Sequence, residues 1–439
     1  MVLRSLKKNA SLPRLSDTSR GVAGNAAWIG AEKLLRMLLG VAVGAWIARH
    51  LGPAAYGEMA AVLAFVAVFQ AVAAVGLDGI VVRDIARQPE RAPELLGTAA
   101  ALRGGTGLVC WIAAVATIAA WHGPGDARVT LTAIAGATLV LQAADAVDLW
   151  FQSQGQNRHS SLARGAAMAT TAALRVALIL ADAPLAAFVA AVVAESLLTA
   201  AALALAYRRH RCTAPWRTQA ATARMLLREC WPFIVSALAA MAHSRIDQLV
   251  IRQWAGAEAA GVYAAMLPLS MAWAVLPTAL QVSLAPSIAR LRAEDPAAYR
   301  EALVRAFRLF FVAGVVVSVA TAALAGPLVG WLYGPPFAAA APLLAVHVFT
   351  NVFIGLGISH TLWLVNEGRF ALRLYGNLVA GSLSLLANLW LVPRHGAMAA
   401  AWVAVGAQFV AAVGVNALWA RDSLALQVRA VTGLRMRSR

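Results

Sequence analysis

The sequence predicts an all-α membrane protein with twelve transmembrane helices, arranged as two six-helix lobes about a pseudo-two-fold axis. Three observations predict it. Of 439 residues, 61% are hydrophobic and only 13% charged, with a mean hydropathy of +0.70. A water-soluble domain of this length could not cover so much apolar surface, so the solvent is lipid. The Lys and Arg residues gather in every second break between apolar stretches, and the chain repeats itself at an offset of 204 residues.

The elements follow in chain order. Residues 1–25 are basic and polar and hold no apolar core long enough for a cleaved signal, so the first span is expected to insert uncleaved. A hydrocarbon layer about 30 Å thick needs ~20 apolar residues per helix. That ruler predicts a first lobe over 26–207, with spans near 26–48, 58–82, 96–120, 129–151, 163–181 and 185–207. A basic linker, 208–229, leads to a second lobe over 230–420. Its spans lie near 231–254, 259–285, 304–326, 338–365, 371–392 and 396–420, before a basic tail at 421–439. Abundant Ala and Gly within the spans allow close helix contact where lipid supplies no hydrophobic drive.

Of the 37 Lys and Arg residues, 28 fall at the N-terminus, in alternate connections and in the tail. Only Arg49, Arg128, Arg252 and Arg394 fall on the other side, and five lie within spans. This positive-inside asymmetry places both termini in the cytoplasm. The net charge of +17 thus reflects topology. Anionic lipid headgroups are the expected counter-charge, and nucleic acid is not an expected partner. Cys110, Cys212 and Cys230 have no metal or disulfide spacing.

At the 204-residue offset, LGPAAYGEMAA (51–61) lies over AGAEAAGVYAA (255–265), pairing Gly52 with Gly256 and Gly57 with Gly261. Each pair belongs to a short outward turn between the first two spans of its half. Glycine suits such a turn because it accepts positive φ and close helix approach. Parallel repeats of this kind build transporters with a substrate site between the halves.

The segment NAAWIGAEKLLRMLLGVAVGAWIARHLGPAAYGEMAAV, from residue 25, resembles the opening of the polysaccharide flippase family. That family lies within the multidrug/oligosaccharidyl-lipid/polysaccharide exporters. DLWFQSQGQNR (148–158), RIDQLVIRQWAGAEAAGVYAAMLPL (245–269), WLYGPPFAAAAPLLAV (331–346) and NLVAGSLSLLANLWLVPRHGAMAAAW (377–402) resemble later family segments, in order. The resemblance implies a MATE-like, two-lobed bundle that moves a lipid-linked oligosaccharide between leaflets. The two extra spans often found in lipid II flippases are absent.

Ionisable residues at membrane depth cost a few kcal/mol, so they face a cavity or a partner. The expected substrate-binding set is Arg36, Lys33, Arg103, Arg175 and Arg245, lining a cationic central cavity for a prenyl pyrophosphate. Glu32 and Arg36 are four apart and can pair. The expected ion-coupling set is Glu32, Asp145, Glu195 and Asp247. Asp145 and Asp148 are three apart, a spacing at which two carboxylates repel and one can hold a proton. Arg158 or Arg164 is the expected partner of Asp148, and Arg175 that of Glu195. Arg245 and Asp247, only two apart, cannot share a helix face. His347 and His360 read as packing or hydrogen-bonding residues, and Trp121, Trp254 and other span-end tryptophans read as an aromatic belt.

The leading expectation is a flippase for undecaprenyl-pyrophosphate-linked oligosaccharide repeat units, beside a polysaccharide polymerase and glycosyltransferases. The alternative is a MATE-type drug/cation antiporter. An enzyme is disfavoured because the chain has no DxD motif, no Walker motif and only short outward connections. No cofactor is expected.

Overall fold

The computed structural model describes the backbone of residues 15–209, 215–369 and 371–433, with the side chains of all but 15–34, 36, 242 and 243. Every described element is a helix. The first half contains α1 (Leu15–Ala73), α2 (Asp78–Arg87), α3 (Ala92–His122), α4 (Ala127–Leu141), α5 (Ala146–Ser153), α6 (Asn157–Leu180) and α7 (Leu185–Arg209). The second begins with α8 (Ala220–Trp254), α9 (Gly256–Met271), α10 (Val275–Glu294), α11 (Pro296–Ala323) and α12 (Ala325–Tyr333). It continues through α13 (Ala340–His347), α14 (Thr350–Glu367), α15 (Ala371–Phe409), α16 (Val415–Trp419) and α17 (Arg421–Thr432).

Among the described residues, nine helical runs are long and apolar enough to cross a bilayer. A tenth is added if Ala220–Met241 and Ser244–Trp254, bent by 46° at their junction, form one span. Two of the nine, Met37–Arg87 and Ala371–Trp419, reach 51 and 49 residues, more than twice the ~20 that one crossing needs. A non-helical glycine breaks the long helix within each, Gly52 (φ 74°) in α1 and Gly396 (φ 64°) in α15. The expected count of twelve rests on counting the bent pair as a span and on reading each of these two runs as a pair of passages.

The connections segregate as the arginine asymmetry requires. At the arginine-poor end, His50 lies 3.4 Å from the Ala183 carbonyl, and the Arg49 guanidinium donates to the Trp331 carbonyl. At the arginine-rich end, Arg83 pairs with Glu229 (2.9 Å), Arg292 with Glu367 (2.9 Å) and Arg429 with Glu301 (2.9 Å). Each set of connections therefore meets its own kind.

The sequence repeat has a geometric counterpart at the arginine-poor end. Gly52 and Gly256 both take positive φ, 74° and 92°, a backbone that a side chain would strain. Five residues on, the two halves touch backbone to backbone. A Cβ on Gly57 would stand 1.9 Å from the Ala257 carbonyl oxygen, and one on Gly261 would stand 1.8 Å from that of Pro53. Positions 53 and 257, like 57 and 261, are 204 apart, so the contact maps onto itself under the repeat. A local two-fold runs between the two glycines. Beside it Arg252 of α8 pairs with Glu58 of α1, latching the halves at this end.

The described part of the basic linker folds back on the first half. The Arg217 backbone N–H donates to the Pro93 carbonyl (3.1 Å), and that of Gln219 donates to the Thr98 hydroxyl (3.2 Å). The helical part of the tail, α17, closes the second half: Ser423 meets His360 at 2.8 Å, and Gln427 donates to the Ala412 carbonyl at 3.0 Å. The segment between the spans expected near 304–326 and 338–365 contains α12 and a turn at Pro335–Phe337. It is ordered because Tyr333 and Phe337 bury their rings there, Phe337 edge-on to Tyr56 at 6.2 Å.

Candidate functional site

Two adjoining cavities, of about 410 and 260 Å³, lie within the first half. They share Gln70, Gln142, Asp145 and Arg164. The larger also meets Asp78, Arg103 and Asp148, and is walled from the second half by Ala237 and Met241 of α8. The smaller extends to Glu195 on α7. Together they form one polar chamber at the seam of the lobes.

Local structure explains how the charges arrive there. α4 starts on an N-cap, with Asp126 accepting from the Arg128 backbone N–H at 2.8 Å. It ends where Gln142–Asp145 tightens into a 3₁₀ turn, before α5 resumes the α-helix. A 3₁₀ residue turns the chain by ~120° rather than 100°, so the break re-aims Asp145 relative to a continuous helix. Here the Gln142 amide donates back to the Leu139 carbonyl at 2.9 Å. The turn leading into α2 is strained instead. Val75 (φ 58°) and Gly76 (φ 64°) are both left-handed, which is costly for a β-branched residue, on the order of 1–3 kcal/mol. Burial of Val75 at 1% exposure holds it in place, and Asp78 emerges from the turn to meet Arg103.

The charges around the chamber are paired. Arg103, with 4% of its side chain exposed, pairs with Asp78. Arg175 pairs with Glu195 at 2.8 Å, as the sequence predicts. One Arg164 nitrogen reaches both Asp145 (2.9 Å) and Asp148 (3.0 Å). The repulsion expected between those two acids is therefore cancelled by a shared cation. Sequence reasoning offered Arg164 only as a partner for Asp148 near the interface, and so missed it as a chamber residue. Its separation from Asp145 by 19 residues gave no periodic signal.

The other candidates are placed differently. Arg245 is half-buried, lines neither cavity, and has no carboxylate partner among the described residues. Asp247 is buried inside the second half, accepting from the Tyr263 hydroxyl (2.5 Å) and the Gln248 backbone N–H (2.8 Å). The two therefore diverge, as their spacing requires. The side chains of Glu32, Lys33 and Arg36 lie outside the described residues.

The expectation of a cationic cavity needs correction for the wall that is described. Asp78, Asp145, Asp148 and Glu195 face Arg103 and Arg164 in the lining, with Arg175 behind. Neutralisation, not excess positive charge, characterises it. Each guanidinium is held by acids because an unpaired ion at this depth costs several kcal/mol. His347 and His360 are hydrogen-bonded core residues as expected: their Nδ1 atoms lie 2.8 Å from Ser270 and Ser423.

Comparison with known proteins follows this geometry. The chain is similar in structure to a lipid II flippase, MurJ, in an inward closed conformation, with a TM-score of 0.70 and 10% identity over 93% of this chain and 90% of that one. It is similar to a multidrug resistance MATE family transporter in an inward-facing conformation, with a TM-score of 0.67 and 16% identity over 90% and 95%. A variant of the Vibrio cholerae MATE transporter VcmN gives 0.54, with 16% identity over 96% and 98%. At such identities the likeness establishes the fold alone, a MATE-like bundle of helices, in keeping with the several helical runs long and apolar enough to cross a bilayer. No curated protein matches by sequence. The sequence profile described as "Polysaccharide biosynthesis protein" matches residues 22–292. That match takes in more than half of the chain, which therefore belongs to the polysaccharide biosynthesis protein family.

Proposed function

We propose that the chain is a flippase in the bacterial cytoplasmic membrane, with both termini in the cytoplasm. Each glycine-broken run counts as two passages in this reading. The cargo is an undecaprenyl-pyrophosphate-linked oligosaccharide repeat unit destined for a surface polysaccharide. The observation that carries the reading is the chamber in which Arg164 is shared by Asp145 and Asp148 at the seam of the lobes.

A pyrophosphate entering that chamber competes with the carboxylates for Arg164. It brings more negative charge and more acceptor oxygens, and a guanidinium binds such oxygens in bidentate fashion. Arg103 and Arg175 supply further charge by the same exchange, and Lys33 and Arg36 are candidates to add to it. A displaced carboxylate takes up a proton, which gives Asp145 and Glu195 their coupling role. With the Gly57–Gly261 contact and the Arg252–Glu58 pair closed, loading occurs from the arginine-rich, cytoplasmic end. Glycosyltransferases of the same assembly line supply the loaded unit on the cytoplasmic side, and rocking of the lobes then opens the opposite end, where a polysaccharide polymerase takes the product.

The four acids lining the chamber against two arginines favour a second reading, a MATE-type drug/cation antiporter. Deletion of the gene separates the two. The flippase reading expects loss of surface polysaccharide with unchanged drug sensitivity. Normal polysaccharide with new drug sensitivity rejects it.

A further inference from the structure

A third cavity, of about 550 Å³, lies between the lobes at the arginine-poor end and takes no part in the chamber. The first half contributes Glu58, Trp121, His122 and Thr132, and the second contributes Arg252 and Trp254. Twelve buried side-chain polar atoms among the described residues have no hydrogen-bond partner. Four of them belong to this one lining: Glu58 Oε2, His122 Nδ1, Thr132 Oγ1 and Arg252 Nε. Buried polar groups are ordinarily satisfied, and an orphan forfeits its hydration without compensation. Four gathered in the lining of one cavity, shielded from it while the lobes are closed, form a reserve of donors and acceptors for a hydrogen-bonding guest once the lobes part.

The chemistry of the lining selects the guest. Arg252 is already neutralised by Glu58, and Arg128 by Asp126 at 2.6 Å, so an anion finds no free cationic pair. The unsatisfied atoms mix a donor (Arg252 Nε–H), an acceptor (Glu58 Oε2) and a hydroxyl that serves as both (Thr132). Hydroxyl groups complement such a set, since each gives and takes a hydrogen bond. Trp121 and Trp254, 69% and 58% exposed, flank the cavity from opposite lobes, with Phe65 6.3 Å from Trp121. Such rings present flat apolar faces to the C–H side of a sugar ring. We infer that this cavity is an exit vestibule that binds neutral carbohydrate as the lobes part. The inference rests on the flippase reading and extends it to a second, outward sugar site.

The test uses the full chain purified into phosphatidylcholine nanodiscs. Its probe is the neutral oligosaccharides released by mild acid from the host cell's own surface polysaccharide. Binding is followed by calorimetry for wild type, Thr132→Val and Trp121→Leu. The last residue is so exposed that the fold does not depend on it. Saturable binding is expected, weakened about tenfold by each substitution and unaffected by millimolar inorganic pyrophosphate. Absence of binding, binding indifferent to both substitutions, or displacement by pyrophosphate overturns the vestibule. The flippase reading fails separately, through normal surface polysaccharide in the deletion strain, so the two failures are distinguishable.

Discussion

The two halves open alike and are filled differently. Both begin with a positive-φ glycine and a second glycine pressed against the partner backbone, Gly52 and Gly57 in one, Gly256 and Gly261 in the other. Beyond that turn, the first half holds four ion pairs around a chamber, through Arg103, Arg164 and Arg175. The second half instead carries a buried run of hydrogen bonds. Asp247 accepts from Tyr263, whose ring stands edge-on to His347, and His347 meets Ser270, whose carbonyl accepts from Asn351 at 2.8 Å. Hydrogen bonds closed within one lobe rigidify it, whereas ion pairs lining a cavity can exchange partners with a charged guest. The halves thus share the glycine turn and differ in how the buried polar groups described in each are partnered.

Substitutions can break this contrast, in order of expected effect. Arg164→Ala leaves Asp145 and Asp148 uncompensated, and the loss of a buried partner is worth about 3–5 kcal/mol. Polysaccharide export in a complementation assay should therefore fall at least ~100-fold with the protein still in the membrane; undiminished export would show that the chamber is idle. Arg175→Ala should destabilise by ~3 kcal/mol for the same reason, read as thermal unfolding in detergent. The double variant Arg175→Met with Glu195→Leu should recover most of that stability, because no lone charge remains. Tyr263→Phe in the second half removes one of two hydrogen bonds to Asp247 and should cost about 1–3 kcal/mol without altering the charge chemistry of transport. A loss of export as deep as that of Arg164→Ala would erase the distinction between the lobes.

Gly57→Ala and Gly261→Ala should act alike, because each added Cβ meets the other half's backbone. Overpacking of this kind costs about 1–3 kcal/mol and should part the arginine-poor end, read as faster thiol-probe labelling of Ala61→Cys, which leaves the Arg252–Glu58 pair intact. The smallest effect concerns Asp126, whose carboxyl is held below the usual carboxylate range by its side-chain and backbone hydrogen bonds to Arg128. A lowered carboxyl pKa stabilises the fold above its unfolded value of ~3.9 and loses that contribution as pH falls further. The difference in melting temperature between wild type and Asp126→Asn should thus be constant near neutrality and shrink below about pH 4.

Much of the fold was legible because lipid makes the rule simple: apolar lengths give spans, and arginine counts give sides. The site was half legible. Arg175 with Glu195 was readable because the two lie on adjoining hairpin helices, where sequence order implies contact. Arg164 with Asp145 was not, because the contact depends on the 3₁₀ turn at Gln142–Asp145 that re-aims the carboxylate. Asp78 with Arg103 depends likewise on the left-handed turn at Val75 and Gly76, a conformation that a valine does not announce.

By itself the sequence determined the lipid solvent, the alternation of its basic breaks, the repeat at 204 and the glycines that the repeat preserves. These are properties of composition and spacing, which helical geometry and the bilayer convert directly into architecture. Only the tertiary structure decided which embedded arginines meet which acids, that the described chamber wall is neutralised, and that four orphaned polar atoms surround a cavity at the opposite end. The reason is physical. Burying an ion or a polar group demands a partner, and which partner answers is fixed by how broken helices point their side chains across lobes.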